Sequence, residues 1–246
     1  MYLGGYDVVP VHAITGPDKS TLVLTPSTSG KQPSTSYHTT LAYPSQQSFA
    51  SAMPSLNLTP LASLRLSTHL IPSHANIPNT APHANPLFIY HSVYPPSTSA
   101  LTLESHLPSN GLAPQWRYTM YSTTHYHSTT HEVLCVYQGR AKLLFGGEQN
   151  PGKVEAEVKA GDAVVVPAGV GHRLLEDYGD GGAFMMVGSY PEGCNWDMCY
   201  GKAGEGDKVK AVERVPWLKK DPLYGDDGPV LWSKEKLEES KGKTQL

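Results

Sequence analysis

The sequence predicts an all-β jelly roll. Three observations carry this: apolar runs of four to seven residues, turn residues between almost every pair of them, and no stretch with a helical period long enough to build a bundle. In the clearest segment, Val154, Ala156 and Val158 alternate with Lys153, Glu155, Glu157 and Lys159, which describes a strand with one wet face.

The elements follow in order. Half of the residues from Ser20 to Ser63 are Ser, Thr or Pro, with almost no charge. Such a stretch buries too little apolar surface to offset its ordering entropy, so residues 1–64 are expected to form a disordered extension. An accessory tail or an over-long gene model accounts for it better than an organelle-targeting segment, which would be richer in arginine. Between Leu66 and Pro86, four prolines force extended or turn structure. Leu87 to Tyr90 is the first strand, and Ala100 to Leu107 can form a short helix. Strands are then expected at Gln115–His127, Val133–Tyr137, Ala141–Phe145, Val154–Lys159, Ala163–Val166, His172–Glu176 and Ala183–Ser189. The barrel domain is placed at residues 65–198. Residues 199–246 form a C-terminal arm whose Trp217 and Trp232 need cover, ending in a charged segment, Ser233 to Lys243.

At 246 residues and a formal charge of −3, the chain has no basic surface for tracking phosphates, so nucleic acid is not an expected partner. No run approaches the roughly 18 apolar residues of a membrane span. Cys135, Cys194 and Cys199 make neither a disulfide framework nor a CxxC site, with Cys135 expected as a buried free thiol. A cytoplasmic location is the simplest expectation.

The chemistry concentrates at His125-Tyr126-His127. Residues two apart in a strand share a face, so both imidazoles reach one ion. A turn at Ser128–Thr130 lets Glu132 add a carboxylate from the next strand, and His172 completes the set from a third. Imidazole and carboxylate suit one divalent transition metal ion, Fe, Mn, Zn, Ni or Co, without choosing among them. The alternative is that these are ordinary polar groups of a metal-free barrel, which would leave three imidazoles and a carboxylate together in an apolar interior.

Counting back by twos from His125 brings Thr123, Tyr121, Thr119 and Arg117 to the inner face, barring a bulge. Tyr121 and Arg117 are then candidates to orient an anionic or hydroxylated substrate. On the opposite wall, either Phe184 and Met186 or Ala183, Met185 and Val187 face inward. Either set makes the pocket apolar, suited to a small ligand held by an oxygen pair. Tyr126 and His131 are expected to point away from the ion, His131 to a surface or interface. Glu176 is expected as a solvated carboxylate rather than a general base. His69, His74, His83, His91 and His106 follow no strand or helix period and are taken as scattered surface histidines.

His-x-His-x4-Glu-x6-Gly from His125 to Gly139, then Gly-x5-Pro-x-Gly-x2-His from Gly161 to His172, resembles the paired signature motifs of the RmlC-like cupins. Thr119 stands where the first motif usually opens with Gly, and Glu176 where the second usually ends in Asn. Neither position is a metal ligand in that family, so both changes bear on turns and pocket chemistry. Tyr-Pro-Glu-Gly at 190–193, Asp221 to Gly225 and Gly228-Pro229 are similar to the bacterial YjlB subgroup of single-domain cupins.

The resemblance implies a double-stranded β-helix holding the ion through His125, His127, Glu132 and His172. It implies an enzyme acting on a small chelating molecule. Oxygen-dependent, dioxygenase-like oxidation stands first, with Glu132, Tyr121 and Arg117 as catalytic candidates. Metal-assisted isomerase, decarboxylase or lyase chemistry stands second. A non-catalytic metal or small-molecule binding cupin is the rival, and metal-free epimerase chemistry through Tyr121 or Tyr137 is a further one. A homodimer is expected, since jelly-roll cupins commonly pair and the two-sided apolar run Val133–Tyr137 and the arm offer surface for it.

Overall fold

The computed structural model describes residues 55–232. Most of the extension expected at residues 1–64, and the charged segment Ser233 to Lys243, lie outside the described residues. Two antiparallel sheets form the body. The larger contains β1 (Arg65–His69), β2 (Leu87–His91), β3 (Leu112–Tyr118), β4 (Glu132–Gln138), β7 (Ala163–Val166) and β9 (Met185–Pro191), in the order β1-β2-β7-β4-β9-β3. The smaller contains β5 (Arg140–Phe145), β6 (Val154–Lys159) and β8 (His172–Asp177), with β5 in the centre. This interleaving of strands distant in sequence is the jelly roll. Among the described residues no helix is long and apolar enough to cross a membrane.

The barrel interior lies between the sheets. Leu134 and Val136 of β4, Val164 and Val166 of β7, and Leu143 and Phe145 of β5 meet there with Phe184 and Met186, all of them buried. Of the two inward sets the sequence allows, Phe184 and Met186 is the one found. The alternate residues of the large sheet, Val133, Cys135, Val165 and Val187, face outward into a second core. Helix α1 (Ala100–His106), N-capped by the Ser99 hydroxyl accepting from Thr102 N at 3.2 Å, covers that face with Leu103 and Leu107. The arm adds Leu218, Leu223 and Val230. Both faces of β4 are therefore buried by this chain. Val133 to Val136 are buried within this chain, and Tyr137 is half-buried.

Gly139 and Gly161 serve neighbouring turns, with Ala160 N donating to Gly139 O at 3.0 Å and Gly161 N to Val136 O at 3.1 Å. Both have positive φ, +74° and +99°, and a Cβ at Gly161 would stand 2.7 Å from the Tyr94 carbonyl oxygen. Only glycine adopts these conformations without strain.

Three elements differ from expectation. Strand β1 has no counterpart in the sequence pattern: it is an edge strand with exposed and half-exposed residues, positioned by its backbone pairing to β2 and so without an apolar alternation to read. The segment 55–64, assigned to the extension, is docked, with Leu56, Leu58 and Leu64 against the outer core and Thr59 O accepting from the Tyr224 hydroxyl at 2.6 Å. Helix α2 (Gly206–Val212) lies in the arm, where Val212 packs on Tyr126 and Ala168.

Candidate metal centre

The strand expected across Gln115–His127 is broken. β3 stops at Tyr118, after a register shift between Pro114 and Trp116. The chain runs irregularly through 119–124, then rejoins the sheets as an isolated extended piece. His125 N donates to His172 O at 3.2 Å and His172 N donates back to His125 O at 2.8 Å, while Tyr126 exchanges both backbone bonds with Cys199. With one neighbour on each side, this piece is held in extended form. His125 and His127 therefore share a face, and Tyr126 is buried on the other among Ala168, Cys199 and Val212.

His125, His127 and His172 come together, each at most 4% exposed, with their ligand nitrogens within 4.8 Å of one another. In each ring Nδ1 faces a backbone carbonyl: Thr123 O at 3.0 Å, Asp197 O at 2.5 Å and Val170 O at 2.9 Å. A carbonyl only accepts, so every Nδ1 carries the proton and every Nε2 keeps its lone pair for an ion. Backbone anchoring of the distal nitrogen is how metal-ligating histidines are oriented.

The Glu132 carboxylate is 3% exposed, with Oε1 3.4 Å from His127 Nε2 and Oε2 3.3 Å from His172 Nε2. Donors about 2.1 Å from a shared ion stand about 3.0 to 3.4 Å apart, so these spacings fit a common ion. Burial lowers the His125 pKa to about 3, helped by His172, so this imidazole stays neutral. Burial opposes charge at His127 and Glu132 as well, but their attraction overrides it, raising the imidazole and holding the carboxyl well below the usual range.

Glu132 is oriented by a relay that sequence reasoning misses. Tyr190 donates its hydroxyl to Glu132 Oε1 at 2.6 Å, and Trp116 Nε1 donates to the Tyr190 oxygen at 2.9 Å. Burial and the neighbouring carboxylate push the Tyr190 pKa up, which keeps it a donor. Tyr190 is legible in principle, two and four residues beyond the inward Gly188 and Met186. Asp197 is not: its carbonyl anchors His127, and its carboxylate accepts from Ser128 N, Ser128 Oγ and Lys208 Nζ, each at 2.7 Å.

A cavity of about 40 Å³ adjoins these four residues, walled by Trp116, Tyr118, Met186 and Trp196 among others. Tyr121, 42% exposed, stands at the wall with its ring edge-on to His125. Arg117 does not reach the cavity. The bulge before Trp116 turns the tryptophan inward and the arginine outward, where it pairs with Glu104 through two 2.6 Å bonds. Thr123 is likewise absent from the wall, while Thr119 is present. Glu176 is exposed. His131 is fully buried rather than at a surface, accepting from Ala168 N at 2.9 Å and donating to Pro216 O at 3.1 Å. Among the scattered histidines, His83 and His106 are half-buried and bonded to the Ala168 and Leu223 carbonyls.

Residues 119–187 match the Cupin domain family. The chain is 35% identical over 166 residues to the uncharacterized protein YjlB of Bacillus subtilis (strain 168), covering 67% of this chain and 93% of that protein. This chain is a YjlB-like cupin. Similar solved structures include a mutant of the Bacillus subtilis oxalate decarboxylase OxdC, at 18% identity and a TM-score of 0.30, covering 47% of this cupin and 27% of that chain. Another is the vicilin of Capsicum annuum, at 18% identity and a TM-score of 0.28, covering 47% and 30%. The cupin thus spans under a third of the length of either. It carries three buried histidines that could hold a metal ion.

The cupin's interior leaves no room at Gly188. A Cβ there would meet two Trp116 ring atoms at 2.0 Å. Gly188→Ala is expected to expel that ring, destabilising the protein by about 2 to 3 kcal/mol and removing the donor behind Tyr190. Chemical denaturation measures the loss. A second change, Trp116→Leu, should recover part of it; no recovery would mean that the clash is not the cause.

Proposed function

We propose that this cupin is a metal-dependent enzyme acting on a small chelating organic molecule, with oxygen-dependent oxidation as its first reaction class. The observation that supports this reading best is the donor set at a cavity wall. Four buried donors, His125, His127, His172 and Glu132, line a cavity whose other walls are mostly rings and thioethers, with Thr119 and Leu134 between them. A site closed on all sides would serve structure alone, whereas this one leaves space for a substrate beside the ion.

A bound divalent ion would supply Lewis acidity and, if redox-active, electron transfer to dioxygen. The chain's own residues do the rest. The Nδ1 anchors fix each imidazole, Tyr190 holds Glu132 in one orientation, and the aromatic walls exclude bulk water. In this reading Glu132 serves as a ligand, and Tyr121 is a group at the cavity wall. Metal-assisted isomerase, decarboxylase or lyase chemistry uses the same donor set and is second.

Oxygen uptake by iron- or manganese-loaded protein, across a panel of small oxygen-chelating acids and diketones, separates the classes. Consumption stoichiometric with substrate loss is expected. Turnover that persists anaerobically would sink the oxidative reading in favour of the second. No turnover with any chelator that binds would leave the non-catalytic binding cupin.

A further inference from the structure

The Thr119 hydroxyl is buried and has no hydrogen-bond partner. Its side chain lines the same cavity as the four donors. Among the described residues two other buried hydroxyls lack a partner, those of Tyr126 and Ser189, and neither residue belongs to the cavity wall. An unpaired buried hydroxyl costs a folded protein stability, so a position that keeps one where a ligand would sit points to the ligand.

Charge narrows that ligand's class. Among the described residues no Lys or Arg lines the cavity, and Arg117 is engaged by Glu104 outside it. A divalent ion beside the Glu132 carboxylate leaves one net positive charge. A singly charged chelator neutralises it, whereas a doubly charged one leaves an uncompensated anion among Trp116, Tyr118, Met186 and Trp196.

We propose that Thr119 is the specificity-determining hydrogen-bond group of this site, seating a small, singly charged oxygen chelator and disfavouring a doubly charged one. The proposal rests on the metal reading given above. Thr119 acts on the ligand and has no part in holding the ion.

Oxamate and oxalate are matched in size and differ by one charge, which makes them the probes. The full chain, loaded with cobalt(II), is titrated with each and followed by the cobalt visible absorption, for the unaltered protein, Thr119→Val and Thr119→Ser. Oxamate is expected to bind about five- to tenfold more weakly to Thr119→Val, the loss of one hydrogen bond, and near normally to Thr119→Ser. Cobalt content should not change. The metal-free valine variant should melt no lower than the unaltered protein, because the substitution removes an unpaired hydroxyl at constant shape. Each ligand's affinity is scaled by its affinity for aqueous cobalt(II), and oxalate should then lose ground to oxamate.

Equal oxamate binding in all three proteins would overturn the role of Thr119, as would a lower melting temperature of the metal-free valine variant. Oxalate keeping its full solution advantage would overturn the charge selection. Failure of the unaltered protein to take up cobalt would sink the metal reading itself, and the proposal with it.

Discussion

His127→Ala is expected to reduce bound metal from about one equivalent to below a tenth, measured by elemental analysis of protein purified without chelators or a nickel column. Of the three histidines that could hold the ion, His127 is tied most firmly to the rest of the molecule. Its Nδ1 is anchored on Asp197 O, and the Asp197 carboxylate is held in turn by Ser128 and by Lys208 of α2. Its Nε2 stands 3.4 Å from Glu132 Oε1. Loss of a group that merely supports a ligand costs tenfold to a hundredfold in metal affinity, and loss of the ligand itself should cost at least the upper end of that range. His125→Ala and His172→Ala should behave alike, because their Nε2 atoms converge with His127 on one point. Arg117→Ala is the control: its guanidinium lies outside the cavity on Glu104, so metal content should stay the same. Metal that is substoichiometric and indifferent to all three histidines would show that these residues hold no ion. The identity of the metal also orders the reactions, iron or manganese favouring oxidation and zinc the isomerase or lyase class.

The strands are legible where their pattern is set by burial on known faces. β6 shows its alternation because one face is wet, and β7 shows a continuous apolar run because both faces are covered. β1 leaves no such trace, since an edge strand is fixed by backbone bonds that every sequence can make. At the site, His125 and His127 can be placed on one face from their spacing alone. Counting further back fails for Arg117, because the parity of a strand survives only as far as its regular geometry. A bulge before Trp116 and the irregular run 119–124 reset it. Tyr190 and Trp116, the groups behind Glu132, arrive from β9 and β3, and their meeting depends on which strands are neighbours. Asp197 depends on the chain after β9 folding back, a contact between segments 69 residues apart.

His131 should make the metal-free protein acid-labile. The ring is 0% exposed, and both nitrogens are used in their neutral roles: Nδ1 accepts from Ala168 N, and Nε2–H donates to Pro216 O. Trp217 lies edge-on at 4.8 Å and His83 at 6.0 Å, and both ring nitrogens are bonded to backbone groups, so neither bond supplies a counter-charge. Burial, with His83, lowers its pKa to about 3. The unfolded chain binds a proton here below pH 6.5 and the folded chain does not, so stability is complete above about 6.5 and is lost as pH falls toward 3. One such group contributes a slope of about 1.4 kcal/mol per pH unit, or roughly 4 kcal/mol by pH 3.5. His125 and His83 are lowered in the same direction and add to the wild-type slope, so the test is a difference. His131→Gln keeps a donor and an acceptor but cannot titrate. Urea unfolding between pH 7 and 4 should give a wild-type stability that falls more steeply than that of the variant, by about one proton's worth. Parallel lines would mean that the buried ring takes up its proton in the folded state. The loss would be felt at the metal centre, because Ala168 sits in the turn between β7 and His172, and His131 is the neighbour of Glu132.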